Sequence, residues 1–116
     1  MKKQVINMPR YKVKITVLKA FDPKDVFEEI PINTATGKPH VACPIHKEGQ
    51  TFIAERITTP PDGFCPNAWH DIKEYVSVLH QGGSYYPWLA ENEMIRCCTD
   101  GIRPVVFKIE KMGTVF

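Results

Sequence analysis

Residues Tyr11 to Ala20 alternate between apolar and polar side chains. Tyr11, Val13, Ile15 and Val17 fall on one face, and Lys12, Lys14 and Thr16 on the other. That period of two is the mark of a strand buried on one side and wet on the other. A different period governs the middle of the chain. Trp69, Ile72, Val76 and Leu79 recur at helical spacing with Tyr75 beside them, while Asp71, Lys73 and Glu74 lie outside the stripe. Pro66 suits the first position of this helix, which makes Cys65 its N-cap, and Gly82-Gly83 supplies a stop. The pattern predicts a helix over Pro66–His80.

The remaining segments are shorter. Asp22-Pro23 opens one helical turn, with Asp22 as the cap, and Pro31 ends it. Asn33 to Pro39 reads as a loop. Gln50 to Ile57, which follows Gly49 and carries Phe52, Ile53 and Ile57, reads as a second strand. Pro60-Pro61-Asp62-Gly63 lies in a turn, and Ser84 to Glu93 in a loop. Met94 to Glu110 reads as two strands joined at Asp100-Gly101, because glycine accepts the positive φ that tight hairpins require. Pro104 cannot donate to a ladder and is placed at the start of the last strand, whose Val105, Phe107 and Ile109 face the core while Lys108 and Glu110 face out. Together these elements predict an N-terminal arm over residues 1–10 and a single α+β domain over 11–116. The domain is an antiparallel sheet of about four strands with one main helix packed on one face.

Composition narrows the class without naming a reaction. A chain of 116 residues buries enough surface for a core without staples, and 43% hydrophobic with 24% charged residues is ordinary for a globular protein. A net charge of +2 is too small to point to nucleic acid, and the N-terminal lysines are explained as strand-edge charges. No stretch reaches the roughly 18 apolar residues of a membrane span, and the start of the chain has no apolar run of a signal peptide. The expectation is a cytoplasmic protein with reduced thiols, whose partner is a metal ion or a small-molecule ligand rather than nucleic acid or membrane. Nothing in the sequence sets its oligomeric state.

The candidate chemistry centres on four cysteines. Cys65, placed before Pro66, puts its sulfur beside the open N–H groups of a helix start, as nucleophilic and redox thiols do; otherwise it is a small apolar residue under the Pro60–Gly63 turn. Cys43-Pro-Ile-His46 is a Cys-x-x-His pair. Four N and S ligands in a tetrahedron suit zinc. The candidates are Cys43 with His46, Cys65 with His70, and one of Cys97 and Cys98, the three sulfurs foremost; an iron–sulfur cluster on all four cysteines is the alternative. The spacing is not that of paired Cys-x2–4-Cys knuckles. Adjacent Cys97 and Cys98 also point to opposite faces of their strand, so one at most serves a given site. His70 and His80 read as surface residues.

Two further features stand beside the thiols. Gly82-Gly83-Ser84-Tyr85-Tyr86-Pro87-Trp88 is either a flap that brings Tyr86 and Trp88 over a bound ligand, an anchor for a partner, or a loop whose aromatics close the core. Asp71 and Asp100 are the candidate carboxylates assisting Cys65, with Arg103 and Glu110 nearby in sequence. Asp100 is also explained as the cap of its own turn.

Cys43-Pro, Glu48-Gly49-Gln50-x-Phe52, Gly63-Phe64-Cys65, Ala68-Trp69-x-Asp71-Ile72, Gly82-Gly83, Pro87-Trp88 and Cys97-Cys98-Thr99-Asp100-Gly101-x-Arg103-Pro104-Val105-x-Phe107-Lys108 stand in this order along the chain. This pattern resembles a family of small four-cysteine proteins found mainly in anaerobic bacteria and archaea, over about residues 11–111. The resemblance implies no particular activity, cofactor or partner. It marks Cys43, Cys65, Cys97, Cys98, Trp69 and Asp71, and leaves His46 and His70 outside the pattern. Three readings follow: a thiol protein that binds a metal ion or does redox chemistry, a small enzyme with Cys65 as nucleophile, and a non-catalytic interaction module with core cysteines and an aromatic docking loop.

Overall fold

The alternation at the start of the chain becomes strand β1 (Tyr11–Ala20), in which Val13, Ile15 and Val17 are buried. The computed structural model describes residues 9–115, so most of the expected N-terminal arm lies outside the described residues. After β1 come the one-turn helix α1 (Pro23–Val26), the short strands β2 (Ile32–Asn33) and β3 (Lys38–Pro39), and strand β4 (Thr51–Ala54). Helix α2 (Pro66–His80) and strands β5 (Glu93–Cys97) and β6 (Val105–Thr114) complete the order.

Among the described residues, four strands form one antiparallel sheet in the order β4-β1-β6-β5. The central pair has the register Ile15↔Ile109 and Val17↔Phe107, which places both apolar sets on one face. Helix α2 packs across that face against β1, β5 and β6. Its stripe of Ala68, Trp69, Ile72, Val76 and Leu79 is buried there, as the helical period requires. The architecture is the expected α+β sheet with one covering helix. Its other face is wet and carries ion pairs such as Lys108–Glu93 at 3.4 Å.

The ends of the helices follow from local chemistry. Asp22 caps α1 in a capping box: its carboxylate accepts the Lys24 N–H, and Asp25 accepts the Asp22 N–H. Cys65 caps α2 with an extended backbone and no side-chain hydrogen bond. At the other end the Gly83 N–H reaches the Val78 carbonyl and the Gly82 N–H the Leu79 carbonyl, with Gly82 at φ 88°. This is the paired arrangement that closes a helix through a left-handed glycine.

Several local expectations are corrected. α1 is the one turn expected, but it ends at Val26, so Pro31 is not what stops it. Residues 33–39 are not a featureless loop, because β2 and β3 pair across them and Gly37 turns the chain at φ 72°. The second strand is shorter than predicted, spanning Thr51–Ala54. Asp100-Gly101 does not form a tight hairpin. Pairing stops at Cys97↔Val106, residues 98–104 form a wider loop, and Gly101 is absent from the positive-φ glycines. The Asp100 carboxylate instead accepts the N–H groups of Ile102 and Arg103, which shapes the loop without a left-handed residue. Pro104 lies just before the last strand, and its carbonyl accepts the Phe21 N–H.

Candidate functional site

A cleft of about 430 Å³ opens where the loop of Cys43 to His46, the first turn of α2 and the 98–104 loop meet. Cys43, Cys65 and Cys98 line it, as do Asp71, Asp100 and Arg103. These side chains come from segments far apart in sequence, and a hydrogen-bonded frame holds the segments together. Asp71, in the second turn of α2, accepts both the Thr99 N–H at 2.8 Å and the Thr99 hydroxyl at 3.0 Å. The Arg103 guanidinium donates to the Val41 carbonyl at 3.3 Å, tying the 98–104 loop to the segment that leads into Cys43. Cys98 closes the loop on itself: its N–H donates to the Val105 carbonyl, and its sulfur accepts the Val105 N–H at 3.3 Å.

The third tie is His46, which is 1% exposed. Phe52, Phe64 and Phe107 surround its ring, with centroids 5.4, 4.7 and 5.4 Å away. Its Nε2 accepts the Cys65 N–H at 3.1 Å, and its Nδ1 lies 3.2 Å from the Gln50 side-chain oxygen. An Nε2 that accepts must carry a lone pair, and an Nδ1 facing an oxygen must carry the proton, so the ring is the neutral Nδ1–H tautomer. Burial lowers its pKa below the ordinary 6.5, outweighing the hydrogen bond to Gln50 that favours the charged form.

The acidic groups of the cleft are already engaged. Burial raises the Asp100 pKa, but the Ile102 and Arg103 N–H groups and the Arg103 guanidinium together hold the carboxyl below its ordinary range. Asp100 and Arg103 also form an ion pair at 3.5 Å. The chemistry these groups perform in the described geometry is to shape the loop and present Cys98 and Arg103.

The predicted residues divide clearly. Cys43, Cys65, Cys98, Asp71 and Asp100 are brought to the cleft, and Cys97 is not. Cys97, the last residue of β5, is exposed, and Cys98 just beyond it is half-buried and hydrogen-bonded to Val105. All four cysteines are free thiols. Among the described residues no group of three or more His, Cys, Asp or Glu is placed to hold a metal ion. His46 does not act with Cys43 as a ligand pair, since its Nε2 lone pair is taken by the Cys65 N–H. His80 is not a surface residue: it is 8% exposed, with Nδ1 2.8 Å from the Tyr11 carbonyl. His70 is exposed, as expected, and lines the cleft.

Tyr86 and Trp88 neither line the cleft nor close the core, being 70% and 78% exposed. Only Tyr85 of that aromatic run packs inward, its ring 5.5 Å from Tyr75, whose other neighbour is the Arg96 guanidinium at 4.1 Å. Sequence reasoning missed the structural part of His46 and the clamp of Thr99 on Asp71. Both link residues 19 or more positions apart, and no local spacing signals them. Among the described residues no helix is long and apolar enough to cross a membrane. No family model, curated protein or solved structure matches the chain, so the site is read from its geometry.

Proposed function

We propose that the cleft is a thiol site in which Cys65 reacts with a small molecule and Cys43 and Cys98 are its partner thiols. The observation that supports this reading is the convergence of three of the four cysteines, from positions 43, 65 and 98, on one cleft. Cys65 has the best placement to react. It stands at the start of a helix whose dipole favours an anion, and its sulfur caps no N–H group. Cys98 is held by the Val105 N–H and serves as the positioned second sulfur. The reaction class is thiol–disulfide exchange: the Cys65 thiolate bonds to one sulfur of a small-molecule disulfide as its S–S bond breaks and the other half leaves as a thiolate. A second cleft thiol then displaces the bound half as a thiol, leaving a disulfide between the two cysteines. Asp71 and Arg103 hold the walls of the cleft in place.

The test is site-resolved alkylation of the anaerobically purified full chain near neutral pH, together with elemental analysis. Cys65 is expected to react faster than Cys97 despite being less exposed, and the Cys65→Ser variant to remove that fast phase. Equal or slower labelling of Cys65 would sink the reading. Stoichiometric zinc or iron would replace it with the metal-binding alternative.

The exposure of Tyr86 and Trp88 favours a second reading for the opposite end of α2, a partner-docking loop. Its first requirement is that Trp88→Ala leaves both the denaturant midpoint and the Cys65 labelling rate unchanged.

A further inference from the structure

We infer that His46 is a proton-operated latch on Cys65, releasing the start of α2 when the imidazole takes up a proton. The inference rests on the reading of the cleft as a thiol site for its purpose, and on hydrogen-bond geometry for its mechanism. The neutral ring makes two unlike contacts. Nδ1–H donates to Gln50, and the Nε2 lone pair accepts the Cys65 N–H. Protonation occurs at Nε2 and turns that atom into a donor facing another donor. The Gln50 contact survives, since Nδ1 still carries its proton. The change therefore falls on one bond, and that bond holds the residue proposed to react.

The surroundings make the response local. The segment on the His46 side is anchored independently, because the Gly49 N–H donates to the Val17 carbonyl and the Val17 N–H to the Gln50 carbonyl. The Gln50 side-chain oxygen also accepts the Lys47 N–H, so this half of the latch is held to β1 whatever the charge on the ring. On the other side, Cys65 has no side-chain cap bond to replace the lost one.

The groups packed on the ring from β4, β6 and the approach to α2 are Phe52, Phe107 and Phe64, none of which titrates. The titratable and charged groups nearby are Cys43 and Lys47 on its own loop, and Cys65, His70 and Asp71 on α2 and its cap. Asp100 and Arg103 stand across the cleft. Asp100 is committed to Arg103, and Asp71 to Thr99. Among the described residues neither carboxylate is paired with the imidazole to stabilise its charged form.

The experiment is an NMR titration of the full-length, isotope-labelled chain from about pH 8 to about pH 4.5, the range in which a histidine changes charge. Cys65 and Cys97 labelling by N-ethylmaleimide is measured in parallel. The expected result is that the His46 imidazole nitrogens and the Cys65 amide move with one midpoint below 6.5. The amides of Leu79 and Phe107 stay in place. Cys65 labelling, taken relative to Cys97 at each pH, rises several-fold through the same midpoint. His46→Gln, which keeps a polar acceptor without a titration, is expected to abolish that step. A Cys65 amide that stays fixed while His46 titrates overturns the latch. So does simultaneous loss of the Leu79 and Phe107 signals, which would mark global unfolding. Should Cys65 prove unreactive at every pH, the thiol reading fails, and the amide titration still decides the latch.

Discussion

Single residues in this protein take their meaning from one or two hydrogen bonds. His46 shows how such a bond becomes a pH dependence. The folded state favours the neutral ring, so its pKa lies below the ordinary 6.5 that holds in the unfolded chain. As pH falls from 6.5 the unfolded chain binds the proton first, so stability is full above that value and declines as pH drops through the folded pKa. Thermal unfolding of the wild type is expected to show this decline, and His46→Gln to flatten it; identical pH profiles would show that His46 is not the source. Asp71 makes a parallel case at the other wall of the cleft. Asp71→Ala leaves the Thr99 N–H and hydroxyl without their acceptor, and a loss of about 1 kcal/mol is expected at this partly wet site, read from the urea midpoint. Asp71→Asn, which keeps an acceptor oxygen, is expected to lose less.

At the scale of elements, the ends of α2 are the sensitive positions. A side chain at Gly83 would put its Cβ 2.6 Å from Val78 Cγ1 and 2.9 Å from the Val78 carbonyl oxygen, so Gly83→Ala is expected to cost about 1–3 kcal/mol. Gly101 is the counterexample. It was expected to need a positive φ, but it has none, and a Cβ there meets nothing within 4 Å. Gly101→Ala is therefore expected to be neutral or to stabilise by up to about 1 kcal/mol through the unfolded chain. Chemical denaturation of the two variants side by side checks both, and a large loss at Gly101 would contradict the loop geometry. Within the helix, Ile72 is fully buried, and Ile72→Ala is expected to cost about 2–5 kcal/mol by leaving a cavity under the sheet.

The whole molecule joins a core that local pattern predicts to a cleft that it does not. β1 and α2 were legible from residues 11–20 and 66–80, because the periods of two and 3.6 residues record which face each element buries. The caps at Asp22 and Cys65, the stop at Gly82-Gly83, and the inward set Val105, Phe107 and Ile109 were legible for the same reason: each depends on neighbours within a few positions. The separation of Cys97 from Cys98 was also foreseeable, although which of them faced inward was not. That was settled by the pairing of β5 with β6, which turns Cys97 to the open side and leaves Cys98 beside Val105. The Asp100-Gly101 signal failed because the Asp100 carboxylate satisfies the loop N–H groups and removes the need for a tight turn. The aromatic loop was open among a flap, an anchor and a core closure because composition records the size of Tyr86 and Trp88 but not where they point; both are exposed, and only Tyr85 packs on the core. The sequence by itself determined β1, the inward face of β6, helix α2 and the layer they form, since those arise from short-range periodicity and capping. Tertiary structure alone decided that Cys43, Cys65 and Cys98 share a cleft and that His46 holds Cys65, because those contacts span from 19 positions upward and depend on how the finished sheet and helix bring their loops together.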